Sequence, residues 1–432
     1  MPSTDAYATA AELHLDANIL HHALIEKLEA NGHLKSPQIA AAFRAVPRQL
    51  FLPGVTLERI YSDQAIPTKV ENDQVVSSSS QPGMMAIMLE QLDLRAGDNV
   101  LEIGAGTGYN AALMAYLVGD GGRVTSLEID PDLAKSASNH LEEAGFGQVQ
   151  VIGTDGVNGY EANGPYDRII LTVGGWDILP DWISQLKPDG RILLPLSING
   201  PQISAVFRRQ GDCLTTVSTA PCGFMRMRGQ SEEPQSSFQL GPEPGLLLEI
   251  NGMHPDVDVE AAYRWLTGPA QNYQTGVRVT VREAWSSLGL WHALHESYRC
   301  FLVAQHAVVD REIVPYLFGG DGDARVRVAM AHVGQQGIAA LAPPPDQPAP
   351  LARAAVTGQP PPPFEIYVRS FGHRSAAERL LSLVRSWEQA GRPGTEGLRV
   401  RAYPAEVGFQ HDAGSFLIRK TWHVFVFDWL AP

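Results

Sequence analysis

Cysteine is scarce: Cys213, Cys222 and Cys300 are the three in 432 residues. They are too few and too widely spaced for a disulfide framework or a zinc motif, so each is expected as an isolated thiol and no metal is expected. Basic charge is also short, with 33 Lys and Arg against 47 Asp and Glu and a formal net charge of −14. That balance excludes a surface built to neutralise a phosphate backbone, and nucleic acid is not an expected partner. No apolar run is long enough to cross a bilayer, so no membrane partner is expected either. The opening "MPSTDAYATAAELHLD" lacks the basic-then-apolar order of a signal peptide, which makes a cytoplasmic location the expectation. Oligomeric state is left open.

What is present is an ordinary folding composition, 44% hydrophobic and 8% aromatic, in a chain long enough for two domains. Apolar residues at helical spacing, from Leu13 to Leu28, predict a helix closed by "NGH"; "SPQIAAAFRAV" predicts a second, with Ser36 as cap and Pro37 in its first turn. From Asn99 to about Phe207 the pattern alternates. "NVLEIGAG", "RVTSLEID", "VQVIGTDG", "YDRIILTVG" and "RILLPL" read as buried strands separated by helices, which predicts a largely parallel, doubly wound α/β sandwich. The rhythm weakens after "CGFMRMRGQSEEPQSS". Three regions are therefore expected: an N-terminal helical segment (1–75), a central α/β domain (76–235), and a C-terminal α/β accessory domain (236–432). The proline-rich tract 342–363 reads as an extended connector within the last region.

The central signal is "VLEIGAGTGYNAAL". Gly104, Gly106 and Gly108 fall where a buried strand gives way to a helix, a junction that suits close backbone approach to a ligand and equally suits tight helix–sheet packing. Glu128 follows at the tip of the next strand, where a carboxylate can accept both hydroxyls of a ribose. Asp155 and Gly156, in "GTDG", are placed to accept from an adenine amine and to leave room for its ring. Glu102 decides between cofactors by sign: beside two phosphates a carboxylate is repelled, whereas beside a sulfonium or an ammonium it is favoured. S-adenosyl-L-methionine carries both cations, so it is preferred to a nicotinamide dinucleotide.

Upstream lies "SSSSQPGMMAIMLEQL", four hydroxyls in a row before a helix, too polar for a core strand. It reads either as a solvent-facing loop or as the wall of a site that needs short hydrogen-bonding groups. "RAVPRQLFLPG", "YSDQAIP", this serine strip, "GDNVLEIGAGTGYNAALMAYL", "SLEIDPDLAKSA", "GTDGVNGYEANGPYDRIILT" and "LPDWISQLKPDGRILLPL" together resemble the protein-L-isoaspartate O-methyltransferase family over roughly residues 40–230. The resemblance implies a Rossmann-like, S-adenosyl-L-methionine-dependent methyltransferase sandwich with N-terminal helices. It implies that Ser80 is the catalytic serine beside the acceptor carboxylate, and that Gly104, Gly106, Gly108, Glu128, Asp155 and Gly156 bind the donor. Ser77, Ser78 and Ser79 are expected in structural roles.

Two departures stand out. Ser78-Ser79 occupies a place where the family usually has Thr-Ile or a similar pair, and nearly two hundred residues follow the resemblance. Extended members of the family resemble enzymes of ribosomally made peptide natural products (lanthipeptides among them), whose ester closes to an aspartimide. The expected function is therefore methylation of an aspartate in a precursor or modified peptide. Repair of isoaspartyl residues is the alternative within the family, and a peptide-binding scaffold that retains the cofactor without turnover is the alternative outside catalysis. In the extension, "WHALHE" is expected as an amphipathic helix packed through Trp285, Leu288, Trp291 and Leu294, its histidines not spaced as in the usual zinc helices.

Overall fold

Short apolar repeats at the start of the chain fold into four helices: α1 (Ala10–Ala30), α2 (Pro37–Ala45), α3 (Leu57–Ile60) and α4 (Pro82–Leu92). The structure is a computed structural model and describes residues 10–71, 74–231, 233–252, 256–296, 298–320, 325–346 and 361–430. Ser36 occupies the N-cap position of α2, but its hydroxyl donates to Glu90 Oε2 at 2.5 Å and so ties α2 to α4 instead of capping. Between α3 and α4 the chain makes an antiparallel hairpin, β1 (Ile66–Glu71) and β2 (Gln74–Ser79). The serine strip is thus strand for three of its four residues, not loop.

Next come β3 (Asn99–Ile103), α5 (Tyr109–Val118), β4 (Arg123–Glu128), α6 (Pro131–Glu143), β5 (Gln150–Gly153), β6 (Tyr166–Leu171), α7 (Pro180–Ser184), β7 (Leu186–Ser197), β8 (Gln202–Gln210) and β9 (Cys213–Cys222). Strands β5, β4, β3, β6 and β7 lie parallel in that order, as the alternating apolar strands and helices require. One face packs on α1, α2, α4 and α5 through Val100, Val124, Ile170, Leu193 and Val206. The opposite face buries Leu101, Ile103, Ile169, Leu171, Ile192 and Leu194 with Trp182 of α7.

The remaining elements are β10 (Gln235–Gln239), β11 (Leu246–Gly252), α8 (Val259–Leu266), β12 (Ala270–Val279), α9 (Leu288–His295), β13 (Tyr298–Gln305), β14 (Phe318–Gly320), β15 (Val326–Val333), β16 (Gly337–Ala342), β17 (Phe364–Gly372), α10 (Ser375–Gln389), β18 (Leu398–Pro404), β19 (Phe416–Arg419) and β20 (His423–Trp429). Strands β10 to β17 form a second, wholly antiparallel sheet. Cys300, Leu302 and Ala304 face a core that includes Leu266 of α8, while Phe301 and Val303 face one containing Leu380 and Trp387 of α10. The period-2 alternation of β13 therefore feeds two helix layers.

Two expectations change. The sheet predicted to be largely parallel has ten strands, β19-β20-β18-β9-β8-β7-β6-β3-β4-β5, and every pairing from β7 outward to β19 is antiparallel. The boundary at 235 does not separate two bodies, because β18, β20 and β19 return to the first sheet beside β9. Helix α9 sits between the sheets: Leu290 and Ala293 join the first core, Leu288 and Trp291 the second. Trp285, expected in that packing, precedes α9 in a π-helical turn and is 39% exposed. Most of the proline tract lies outside the described residues, and its predicted start falls on β16, which runs through Ala342.

Candidate active site

The carboxyl ends of β3, β4, β5 and β6 open into a cavity of about 410 Å³, roofed by β2 and by the segment after β9. Gly104, Gly106, Glu128, Asp155, Gly156 and Ser80 all line it. Ligands of open α/β sheets bind in this crevice beyond the strand ends.

The glycine turn is held on β4: Gly104 N–H and Ala105 N–H both donate to Leu127 O, at 2.8 and 3.0 Å. Gly104 adopts φ +105°, and a Cβ there would meet Thr172 Oγ1 at 2.7 Å, so the loop can lie against β6 only with glycine. Gly106 (φ +55°) is different. A Cβ on it would have Ser78 O as its one neighbour, at 3.8 Å, and would project into open space between loop and hairpin. Glu128, 7% exposed, accepts from Gly106 N–H at 2.9 Å through one oxygen and from Asp130 N–H at 3.2 Å through the other. A carboxylate has about four acceptor positions, so both oxygens retain capacity for a ligand's hydroxyls. At the tip of β5, Asp155 accepts from Val157 N–H at 3.1 Å and from Gln230 N–H at 3.3 Å. Gly156 approaches Ile103 so closely that a Cβ would meet its Cγ2 at 2.4 Å, and its carbonyl accepts from Trp182 Nε1.

Two expected ligand contacts are corrected. Gly108 (φ +88°) is the N-cap of α5, and its Cα faces α6: a Cβ would meet Ala137 O and Leu141 Cγ, each at 3.1 Å. It serves helix packing. Glu102 is fully buried and does not line the cavity; Ser126 Oγ donates to it at 2.5 Å and Asn110 Nδ2 at 2.8 Å. Burial pushes its carboxyl up to about 7, against the pull of those two hydrogen bonds, and Glu128 adds to the rise. The sign argument about the cofactor, which set Glu102 beside the donor's cations, therefore falls away; Glu128 and Asp155 are the carboxylates that line the cavity.

The four serines divide by strand alternation. Ser77 and Ser79 are buried, and Ser77 Oγ accepts from Thr68 Oγ1. Ser78 and Ser80 are half-exposed, and Ser78 Oγ lies 3.6 Å from Met225 Sδ. The helix that follows has Gln81 as its N-cap, with no side-chain capping bond, so the serines do not cap it.

Arg48 organises this strip, and the sequence reading missed it. Wholly buried in the turn Arg48–Phe51, it donates from Nη2 to Ser80 O at 2.9 Å and to Ser79 Oγ at 3.2 Å, and from Nη1 to Ile60 O at 2.8 Å. Burial lowers its pKa to about 10, partly offset by Tyr109, Asp63 and Tyr61, so it remains a cation at neutral pH. A buried basic residue in "VPRQLF" was the available signal, since arginine is rarely buried without partners. The other missed wall is "PCGFMRMR". Met225 O accepts from Gly174 N–H at 2.7 Å and Met227 N–H donates to Gly174 O at 2.9 Å, which lays this segment across the end of β6.

Sequence comparisons point to one family. A sequence profile of the Protein-L-isoaspartate(D-aspartate) O-methyltransferase (PCMT) family matches residues 19–231. The Protein-L-isoaspartate O-methyltransferase of Methanopyrus kandleri is 37% identical over 217 residues, covering 49% of this chain and 94% of that one. Protein-L-isoaspartate O-methyltransferase 2 of Archaeoglobus fulgidus is 38% identical over 207 residues, 48% of this chain and 92% of its own length. A solved protein-L-isoaspartate O-methyltransferase superposes with a TM-score of 0.48 at 23% identity, covering 90% of this chain and 96% of the other. One from Plasmodium falciparum, solved with S-adenosyl-L-homocysteine, gives a TM-score of 0.43 at 17% identity, over 48% of this chain and 98% of that one.

Proposed function

The chain belongs to the protein-L-isoaspartate O-methyltransferase family, and from that premise we propose that it methylates the α-carboxylate of isoaspartyl residues in peptides and proteins. It is an S-adenosyl-L-methionine-dependent carboxyl methyltransferase. The observation that carries the isoaspartyl reading is the meeting of Ser80 with Gly106 and Glu128 in one cavity, in a chain whose relatives are named for that acceptor.

The donor set fits the cofactor, since Glu128 retains acceptor capacity and Gly106 leaves a cradle that a Cβ would fill. S-adenosylmethionine supplies a methyl group on a positively charged sulfur. Glu128 would hold the ribose hydroxyls, and Asp155 with Gly156 the adenine side. Ser80 would donate a hydrogen bond to one acceptor oxygen and leave the other free to react. A carboxylate with an intrinsic pKa of about 4 is already ionised at neutral pH, so no general base is needed. The requirement is orientation. The roof formed by β2 and the Met225–Arg228 segment excludes water from that alignment. The methyl ester left on an isoaspartyl residue is then open to attack by the following amide nitrogen, which expels methanol and closes a succinimide.

A second reading is methylation of an aspartate in a modified ribosomal peptide, with aspartimide as the outcome. It draws on the chain beyond residue 231, where Glu233 and Asn251 hold Arg226 of the cavity wall. The names of the relatives favour repair. Incubation with methyl-labelled S-adenosylmethionine and a matched pair of peptides, one isoaspartyl and one aspartyl, separates the two. A gain of one methyl on the isoaspartyl peptide alone, followed by methanol release, supports repair; transfer confined to aspartyl acceptors ends it.

A further inference from the structure

Arg226 lies in the cavity wall, about a third of its side chain exposed, and is held by residues beyond the family match. Its Nη2 donates to Asn251 Oδ1 at 3.0 Å, and its Nε stands 3.4 Å from Glu233 Oε2. Both partners are nearly inaccessible, Asn251 at 1% and Glu233 at 6%. Glu233 is itself fixed, accepting from Ser197 Oγ at 2.7 Å. The backbone on either side is pinned to Gly174, so neither chain nor side chain is free to swing. Nη1 has no partner among the described residues. A guanidinium anchored through two nitrogens with the third unclaimed is a preformed half of a fork for a carboxylate.

Two further cations lie behind that anchor. Arg299, fully buried behind Asn251, has no carboxylate partner among the described residues, and its Nη1 and Asn251 Nδ2 both border Gly200, within 3.3 and 3.0 Å of where a Cβ would stand. Lys420 donates to Ser197 O at 2.6 Å and to Trp176 O at 2.5 Å. Against these three cations stand three carboxylates: Glu233, Asp177, which accepts from Trp422 N–H, and Glu249, which burial pushes up and the charge of Arg226 pulls back down.

We propose that Arg226 is a specificity-determining residue of the methyl transfer, binding a carboxylate of the acceptor peptide through its free nitrogen. The inference rests on the carboxyl methyltransferase reading above. Two carboxylates qualify chemically, the reacting α-carboxylate and an acidic side chain flanking it. Ser78 beside Met225 and Ser80 just past the end of β2 put the acceptor hydroxyls on another wall of the same cavity. The C-terminal half would thereby enter the reaction by fixing one cation, without supplying a reacting group.

The test measures binding of a fluorescent isoaspartyl peptide with a flanking glutamate to protein saturated with S-adenosylhomocysteine. Two analogues carry, respectively, a carboxamide in place of the α-carboxylate and glutamine in place of the flanking glutamate. Wild type is expected to favour the parent over at least one analogue by about tenfold, the scale of one charge-assisted hydrogen bond. Arg226→Met should abolish that preference, and the analogue affected names the carboxylate; Arg226→Lys should restore part of it. Asn251→Ala should halve or further reduce it, with S-adenosylhomocysteine affinity unchanged in all three variants. An unaltered preference in a folded Arg226→Met protein, or no preference in wild type, overturns the proposal. Methyl transfer to the parent peptide is scored separately. A protein that discriminates through Arg226 yet transfers no methyl to it would retire the isoaspartyl reading and leave this one standing.

Discussion

Glu102 shows how far a single residue's chemistry could be read in advance. Its strand position and acidity were visible; its direction was not, because neither Ser126 nor Asn110 is marked in the sequence as its partner. Its burial has a measurable consequence. The folded protein holds this carboxyl up to about 7, above the ordinary value of 4.5, so between those pH values the native state binds more protons than the unfolded one. Stability therefore falls as pH rises through that window. Glu102→Gln removes the effect while keeping the shape, and in ligand-free protein its advantage over wild type should grow by about 2–3 kcal/mol from pH 4.5 to pH 8. Urea unfolding at the two pH values reads this directly, and a constant difference would refute it. The placement of Ser80 and Glu128 in the cavity was legible because each sits next to a backbone landmark, a helix start and a strand end. Their roles separate by assay. Ser80→Ala should lower kcat/KM for acceptor by about tenfold, the worth of one hydrogen bond, with cofactor affinity kept. Glu128→Ala should weaken cofactor binding by about ten- to a hundredfold, as expected for loss of charged acceptors.

At the level of elements, periodicity located most strands and helices, and missed what depends on partners. β9 went unread because "CLTTVSTAPC" has no clean alternation, and its pairing with β8 supplies the order. The glycine turn is the sharper case, since three glycines at one junction looked alike and do different work. Gly106→Ala carries the left-handed backbone cost of about 1–2 kcal/mol but meets open space, so it should lower the melting temperature modestly while filling the cofactor's cradle. Gly108→Ala drives a methyl into α6 at 3.1 Å and adds a left-handed backbone cost of about 1–2 kcal/mol, so its loss should appear in the melting temperature. Calorimetry with and without S-adenosylhomocysteine distinguishes them, and equal effects on affinity from both would contradict the division. Arg48 binds elements together in the same sense. It satisfies carbonyls from the last residue of α3 and from Ser80, just past β2, so Arg48→Met should cost about 3 kcal/mol or more by orphaning them. Because Ser80 depends on that anchor, acceptor KM should rise more than cofactor Kd.

Across the whole molecule, the feature least visible in the sequence is the return of the C-terminal strands to the first sheet. Composition and rhythm shift near residue 235, and nothing local in "LRVRAYP" or "WHVFVFDWL" says which of two sheets they join; only the cross-strand partners decide. Val400, Ala402, Phe425 and Phe427 are all fully buried against a cluster containing Ile203, Ala205, Phe207 and Leu214, and α9 adds Leu290 and Ala293 to the same cluster. About half of this chain covers 94% of the M. kandleri relative, the length expected of a free-standing catalytic half. The packing argues the reverse. Removing residues 236–432 would strip that apolar face and leave β9 an open edge, a template for aggregation. Each large side chain uncovered costs about 1.5–3 kcal/mol, so a handful exceeds the 5–15 kcal/mol that usually separates folded from unfolded domains. A protein comprising residues 1–235 should therefore lack a cooperative thermal transition and should bind a hydrophobic dye, while the full chain melts once. A fragment that melts cooperatively at the full-length temperature would show that the returning strands decorate the sheet without completing it.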